Sequence, residues 1–115
     1  MRYTLFLYGD ESSYADTTPE QAEAEQQVFG AYIQSLNEAG VFVSTDWLQP
    51  SHTATTVTLR NGRSVQDGPY ADTKEQLGGY FVIDVPDLDA AIAWAEKCPV
   101  AYEGYVEVRP SAMDD

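Results

Sequence analysis

The side chains that could take part in catalysis or ligand binding lie in two parts of the sequence. The first is the segment 67–75, where Asp67, Lys74 and Glu75 surround a Gly-Pro turn. Next to a fixed turn, Lys74 can be held to bind an anion and Glu75 to handle a proton, which makes the three residues catalytic candidates. The alternative is structural, with Asp72 capping a single helical turn and Lys74 and Glu75 pairing on the surface. Both interpretations stay open.

The second group lies near the C-terminus, where Tyr105, Glu107 and Arg109 alternate with two valines. Side chains alternate between the faces of a strand, so these three residues share the face opposite the valines. Arg109 is suited to anchor a ligand carboxylate. The alternative is that Glu107 and Arg109 form ion pairs across strands or across a dimer.

Other reactive chemistry has little support. A structural zinc site needs about four Cys or His ligands, whereas the chain has one histidine, His52, and one cysteine, Cys98. His52 lies in a loop-like stretch with no nucleophile motif beside it, and Cys98 falls on an apolar helical stripe typical of a buried residue. No phosphate-binding glycine motif or calcium loop occurs. We therefore expect no metal and no cofactor.

Composition limits the partners. The chain of 115 residues carries 6 Lys and Arg against 19 Asp and Glu, a net charge of −13. This length predicts one domain over residues 1–115 with a core of its own. The acidic excess argues against nucleic acid and anionic membranes as partners. With no signal-like start, no membrane-length apolar run and no cysteine pair, we expect a soluble cytoplasmic protein.

Periodicity and turn residues predict two helices among six strands. The first helix begins at the cap Thr18 and ends near Ala39, and the second begins at the cap Asp87 and ends before Pro99. A short helical turn after Asp72 is expected to end at Gly78-Gly79. The predicted strands are residues 2–8, 41–48, 54–60, 63–66, 80–85 and 103–109, with a tight Asn61-Gly62 hairpin between the third and fourth.

This order, β-α-β-β-(β)-β-α-β with the short fourth strand in brackets, predicts an α+β fold of ferredoxin-like type, β-α-β-β-β-α-β without that strand, with two helices on one face of an antiparallel sheet. The other face stays open. On it the first strand places either the set Tyr3, Leu5 and Leu7 or the set Thr4, Phe6 and Tyr8, and either set is too apolar to face water alone. We therefore expect a homodimer formed through the open faces, with a cavity between them.

The run DGPYADTKEQLGGY at residues 67–80 resembles the hallmark of the YCII-related family, in its DGPF branch, with Tyr70 where phenylalanine is usual. The similarity extends over nearly the whole chain, including residues 3–11, 38–41, 53–57, 91–99 and 106–110. The resemblance implies a ferredoxin-like fold that dimerises in the manner of dimeric α/β barrels.

The resemblance implies less about chemistry. In YciI-type relatives a histidine and an aspartate in the interfacial cavity are proposed as an active site, and some members remove chloride from chlorinated aromatic substrates. The first helix here has no histidine and His52 does not match that motif. The roles of that histidine and aspartate are therefore not assigned to residues of this chain. Members of the DGPF branch often accompany extracytoplasmic-function sigma factors, and no general activity is attached to them.

Two alternative functions are therefore considered for this chain. The first is a homodimer that binds a small aromatic or anionic molecule in the interfacial cavity; any catalysis there would be a cofactor-free lyase or proton-transfer reaction. The second is a non-catalytic interaction or regulatory protein with a protein partner, linked to a sigma-factor system. The ligand-binding candidates of the first function, beside the three catalytic ones, are Tyr70, Tyr80, Tyr105, Glu107 and Arg109.

Overall fold

The structure is a computed structural model that describes residues 1–14 and 16–113. Its elements alternate in an α+β order. The strands are β1 (Arg2–Asp10), β2 (Phe42–Trp47), β3 (Thr55–Thr58), β4 (Ser64–Asp67), β5 (Glu75–Asp84) and β6 (Tyr105–Pro110). The helices are α1 (Pro19–Glu38) and α2 (Leu88–Lys97), and short 3-10 turns span Glu11–Tyr14, Ser51–Thr53 and Pro99–Tyr102. No helix in these described ranges is both long and apolar enough to cross a membrane.

Four of the strands form one antiparallel sheet in the order β2-β5-β1-β6. Strands β3 and β4 pair only with each other, as a separate hairpin inserted between β2 and β5. Without the hairpin the chain reads β-α-β-β-α-β, and both crossovers carry a helix. The predicted ferredoxin-like fold is confirmed.

The core lies between the sheet and the two helices. In β1 the alternate residues Tyr3, Leu5 and Leu7 are buried while their neighbours are only half-buried. The alternation settles which set faces the helices, so Thr4, Phe6 and Tyr8 lie on the other face. The buried core side chains of the described chain are Tyr3, Leu5, Leu7, Tyr32, Leu36, Phe81, Ile83, Val85, Ala91, Ala95 and Cys98.

Both helices begin where the sequence predicts. The Thr18 hydroxyl accepts the Gln21 N–H at 3.2 Å while the Gln21 side chain accepts the Thr18 N–H at 3.0 Å, a complete capping box. The Asp87 carboxylate accepts the Ala90 N–H at 2.9 Å and so caps α2. Past the end of α1, Gly40 takes a φ of 73°, the left-handed conformation that stops a helix.

The predicted helical turn at 72–77 is wrong. Residues from Glu75 onward belong to β5, which runs unbroken through Gly78-Gly79 to Asp84. Glu75 pairs with Asp10 at the end of β1, and the register shifts between Leu7 and Tyr8. Except at Gly78, where the register shifts, the residues of β5 pair with β1 and gain main-chain hydrogen bonds that a single helical turn cannot match. The glycine pair therefore lies inside a strand.

The predicted tight turn at Asn61-Gly62 is also wrong. β3 ends at Thr58 and β4 begins at Ser64, so residues 59–63 make a longer connection, in which Gly62 alone takes a positive φ. The hairpin carries exposed apolar side chains, Val57, Leu59 and Val65. The described chain has a radius of gyration of 15.9 Å, larger than the roughly 13 Å of a compact domain of this length.

Candidate functional site

The sheet face away from the helices is named here the open face. Its members follow from the register: Tyr80 and Glu107 lie opposite Phe6, and Arg109 lies opposite Thr4. Residues directly opposite each other in an antiparallel pair point to the same side. The open face therefore includes Thr4, Phe6 and Tyr8 of β1, Ser44 and Asp46 of β2, Leu77, Tyr80 and Val82 of β5, and Tyr105, Glu107 and Arg109 of β6, with the pair Asp10–Glu75 at its edge.

Aromatic side chains dominate this face. Phe6 in the central strand β1 lies opposite Tyr80, and Tyr8 lies opposite Tyr105. Phe6, Tyr8 and Tyr80 are half-buried, and Tyr105 is 67% exposed. Such cross-strand pairs stabilise the sheet, yet each of the four side chains remains at least partly exposed to solvent. The face offers flat apolar surface with hydroxyl groups among it.

Arg109 is engaged within its own strand. Its guanidinium donates to the Glu107 carboxylate and lies 5.6 Å from the centre of the Phe6 ring. The ion pair of the structural alternative is therefore formed, although along one strand rather than across strands or copies. A guanidinium with a carboxylate partner is less available to a ligand anion. The anchoring role of Arg109 stays a prediction.

The DGPY turn is held by the main chain. Gly68 has a φ of 101°, and its N–H donates to the Ala54 carbonyl at 2.7 Å. The Thr56 hydroxyl donates to the Gly68 carbonyl at 2.8 Å. The turn thus fastens the base of the hairpin, where Asp67 is exposed and Tyr70 is 88% exposed. Its residues have a structural role that requires glycine at position 68.

Lys74 and Glu75 stand where β5 begins. Glu75 lies opposite Asp10, whose pKa is lowered by hydrogen bonds from the Ser12 hydroxyl and N–H and by the charge of Lys74. Arg109 lies opposite Thr4, six residues away along β1 or about 20 Å. Within one copy, therefore, the structure does not bring Lys74 and Glu75 together with Arg109.

A groove on the helix side of the sheet was missed by the sequence reasoning. It consists of a cavity of about 270 Å³ and an adjoining one of about 390 Å³. The two share Gly9, Glu25, Phe29 and Val100. We name it the helix-side groove. It lies between the first half of α1, the end of β1 and the segments 47–50 and 99–104.

The walls of the helix-side groove are well fixed. The Trp47 ring meets the Phe29 ring edge-on, with centroids 4.6 Å apart. The Glu11 carboxylate accepts two hydrogen bonds of 2.7 Å, from the N–H and the hydroxyl of Ser51. One sequence signal was available: Glu25 and Phe29 are four residues apart and therefore share a helix face. The other walls come together only through tertiary structure.

Comparison with known proteins identifies the family of this domain. The YCII-related domain family matches residues 1–111 of the chain. This chain belongs to the YCII-related domain family. It is also similar to an uncharacterised protein of Rhizobium meliloti (strain 1021), with 35% identity over 116 residues that cover 98% of this chain and 94% of the relative.

Two further reactive side chains of this YCII-related domain lie apart from the open face and the groove. Cys98 is fully buried, and burial raises the pKa of its thiol, which keeps the sulfur protonated and unreactive. This is the buried role that the sequence predicts for it. His52 is exposed in the short turn Ser51–Thr53.

Proposed function

We propose that this YCII-related domain works as a homodimer that pairs its open faces and binds a small aromatic molecule between them. The observation that carries the proposal is the half-buried Phe6 at the centre of the open face, with Tyr80 beside it on β5. Both helices lie on the other face, so in the described chain neither helix covers these rings, although the Arg109 guanidinium lies over Phe6. A second open face would remove them from water.

A twofold dimer suits this surface. In such a dimer the same patch of each copy contacts its equivalent, so a flat, mainly uncharged area is self-complementary. The charged pair Glu107–Arg109 is internally neutralised, which lowers the cost of bringing two copies of it close together. Space left between the two aromatic rows then forms the ligand cavity, where the tyrosine hydroxyls provide the polar contacts.

The remaining site assignments belong to this proposal as well. Tyr80, Tyr105, Glu107 and Arg109 lie on the open face and are its ligand-binding residues. Glu75 lies at the edge of this face, opposite Asp10, and Tyr70, Asp67 and Lys74 lie outside it, so the roles of these four residues require a contribution from the partner copy. We therefore propose ligand binding as the primary function. Cofactor-free proton transfer would follow only if the dimer brings the catalytic candidates of one copy next to the ligand-binding residues of the other.

The interface is tested by a charge placed on the open face. Tyr105→Glu changes an exposed side chain, so the fold is expected to survive, but the dimer would have to bury two unpaired carboxylates. We expect the dimer dissociation constant, measured by sedimentation velocity, to rise at least about tenfold. Tyr102→Glu is the matched control, because Tyr102 is 86% exposed and lies off the sheet. Equal effects of the two changes would refute the interface.

The ligand class is tested with benzoate and benzyl alcohol as probes in calorimetric titrations. If Arg109 leaves Glu107 to anchor a carboxylate, benzoate binds more tightly than the alcohol, and Arg109→Gln abolishes the difference. If the rings alone bind, the two probes bind alike in both proteins. Lys97→Gln is the control for the change of charge, since Lys97 lies on α2 over the Trp94 ring. No binding of either probe would refute a ligand site here.

The hairpin favours a second candidate, an interaction or regulatory protein. Leu59 is 73% exposed and Val57 is 61% exposed near the end of an arm that packs little on the domain. A protein partner would cover such side chains. A stoichiometric partner that is lost with Leu59→Asp but retained with Lys74→Ala and Arg109→Ala would support this function over the first.

A further inference from the structure

The helix-side groove combines apolar walls with charge of a single sign. Its apolar walls include Phe29, Trp47 and Val100, and its acidic residues include Glu11, Glu25 and Glu103. Among the described residues that line the two cavities, none is Lys, Arg or His. We propose that the groove binds an organic cation, an ammonium group carried on an aromatic or alkyl body. This site is separate from the open face.

The walls are suited to the body of such a ligand. Trp47 is 47% exposed although its ring is fixed against Phe29, so part of an indole face remains available in the groove. An aromatic face attracts a cation as well as an apolar body. The cavity of about 270 Å³ beside Trp47 is slightly smaller than the usual range for drug-sized ligands, which predicts a compact molecule.

The carboxylates are suited to the ammonium group. Ser51 orients the Glu11 side chain through both carboxylate oxygens, so one charge is already held in place before a ligand arrives. Glu25 lines both cavities and is placed to pair with the cation from the other side. A charge-assisted hydrogen bond from an ammonium group is about twice as strong as a neutral one. The net charge of −13 further favours the approach of a cation.

Other occupants fit less well. In the part of the chain that the structure describes, no three His, Cys, Asp or Glu side chains are grouped closely enough to hold a metal ion. An anion would have to enter a groove beside Glu11, Glu25 and Glu103, with no basic residue among the described residues that line it, which Coulomb repulsion opposes. A neutral apolar molecule would gain no electrostatic attraction from Glu11 and Glu25.

Trp47 provides the measurement. The chain has two tryptophans, so in a Trp94→Phe background the emission comes from Trp47 alone. The probe is 2-phenylethylammonium, compared with 3-phenylpropanol and 3-phenylpropanoate, which keep the ring and change the charge. We expect a saturable change of emission with the ammonium compound, at least about tenfold weaker binding of the alcohol, and no binding of the carboxylate.

Charge variants link the binding to named residues. Glu25→Gln should weaken the ammonium compound about tenfold, whereas Glu23→Gln, which changes the net charge equally on the same helix outside the groove, should leave its affinity within about twofold. Glu11→Gln should weaken binding as Glu25→Gln does. If Glu11→Gln disturbs the Ser51 contact and the fold, the comparison of Glu25→Gln with Glu23→Gln tests the proposal. Equal effects of Glu23→Gln and Glu25→Gln, equal binding of alcohol and ammonium, or no saturable change up to about 10 mM probe would each overturn the proposal.

Discussion

The hydroxyl of Tyr32 donates a hydrogen bond of 2.8 Å to the main-chain carbonyl of Trp94 and thereby joins α1 to α2 above the sheet. The Tyr32 side chain is 5% exposed, and its ring meets Phe81 of β5 edge-on at 5.1 Å. One residue therefore connects all three parts of the core. Its hydroxyl is polar and buried, so it stabilises the fold only through this bond.

We predict that Tyr32→Phe lowers the free energy of unfolding by about 1 kcal/mol, because the ring packing remains and one buried hydrogen bond is lost. Urea unfolding followed by circular dichroism measures the change. Tyr102→Phe is the control, since its side chain is 86% exposed, and it should have no measurable effect. A Tyr32→Phe protein as stable as the wild type would show that the helix-to-helix bond contributes nothing.

Stability should fall in alkaline solution for the same reason. Burial, together with the nearby Cys98, raises the pKa of Tyr32 above its ordinary value of 10.0. Above about pH 10 the unfolded chain releases this proton while the folded chain retains it, so the unfolded state binds fewer protons and the free energy of unfolding decreases as the pH rises. Urea unfolding across this range should show a shallower decrease for Tyr32→Phe. Equal slopes would contradict the assignment to Tyr32.

Adjacent glycines in β5 should respond very differently to alanine. A Cβ at Gly79 would lie 2.7 Å from the Asp46 carbonyl oxygen of β2, whereas a Cβ at Gly78 would lie 3.9 Å from the Leu7 carbonyl oxygen. We predict that Gly79→Ala costs about 1–3 kcal/mol, because two strands must separate, and that Gly78→Ala costs less. Thermal unfolding of the two variants measures both. A larger loss of stability for Gly78→Ala than for Gly79→Ala would contradict the close contact between β5 and β2 at Gly79.

Local signals in the sequence predicted much of the fold. The caps at Thr18 and Asp87 depend on neighbours a few residues away, and the structure has both. For β1 the sequence left two alternating sets open, and only the structure shows that Tyr3, Leu5 and Leu7 are the buried one. The strand from Glu75 was missed because its pairing with Asp10 joins residues far apart in the chain. The capping pattern at Asp72 is local, so it could not show that pairing with β1 would be favoured over a helical turn.

The same distinction separates the two candidate sites. Strand alternation was sufficient to place Tyr105, Glu107 and Arg109 on one face, because the rule needs only the strand itself. The helix-side groove depends on Glu11, Glu25 and Trp47, which come from three separate segments. In sequence, Glu25 belongs to a run of acidic residues typical of a solvated helix face, so only the tertiary structure identifies its position.

The mass of the wild-type chain in solution tests the central claim most directly. Sedimentation equilibrium of the purified protein at micromolar concentration should give a species of twice 12.7 kDa, because pairing of two open faces removes the Phe6, Tyr8 and Tyr80 rings from water. A single species of 12.7 kDa at all concentrations would contradict the account, since the open face would then remain in contact with solvent and no cavity would form between two copies.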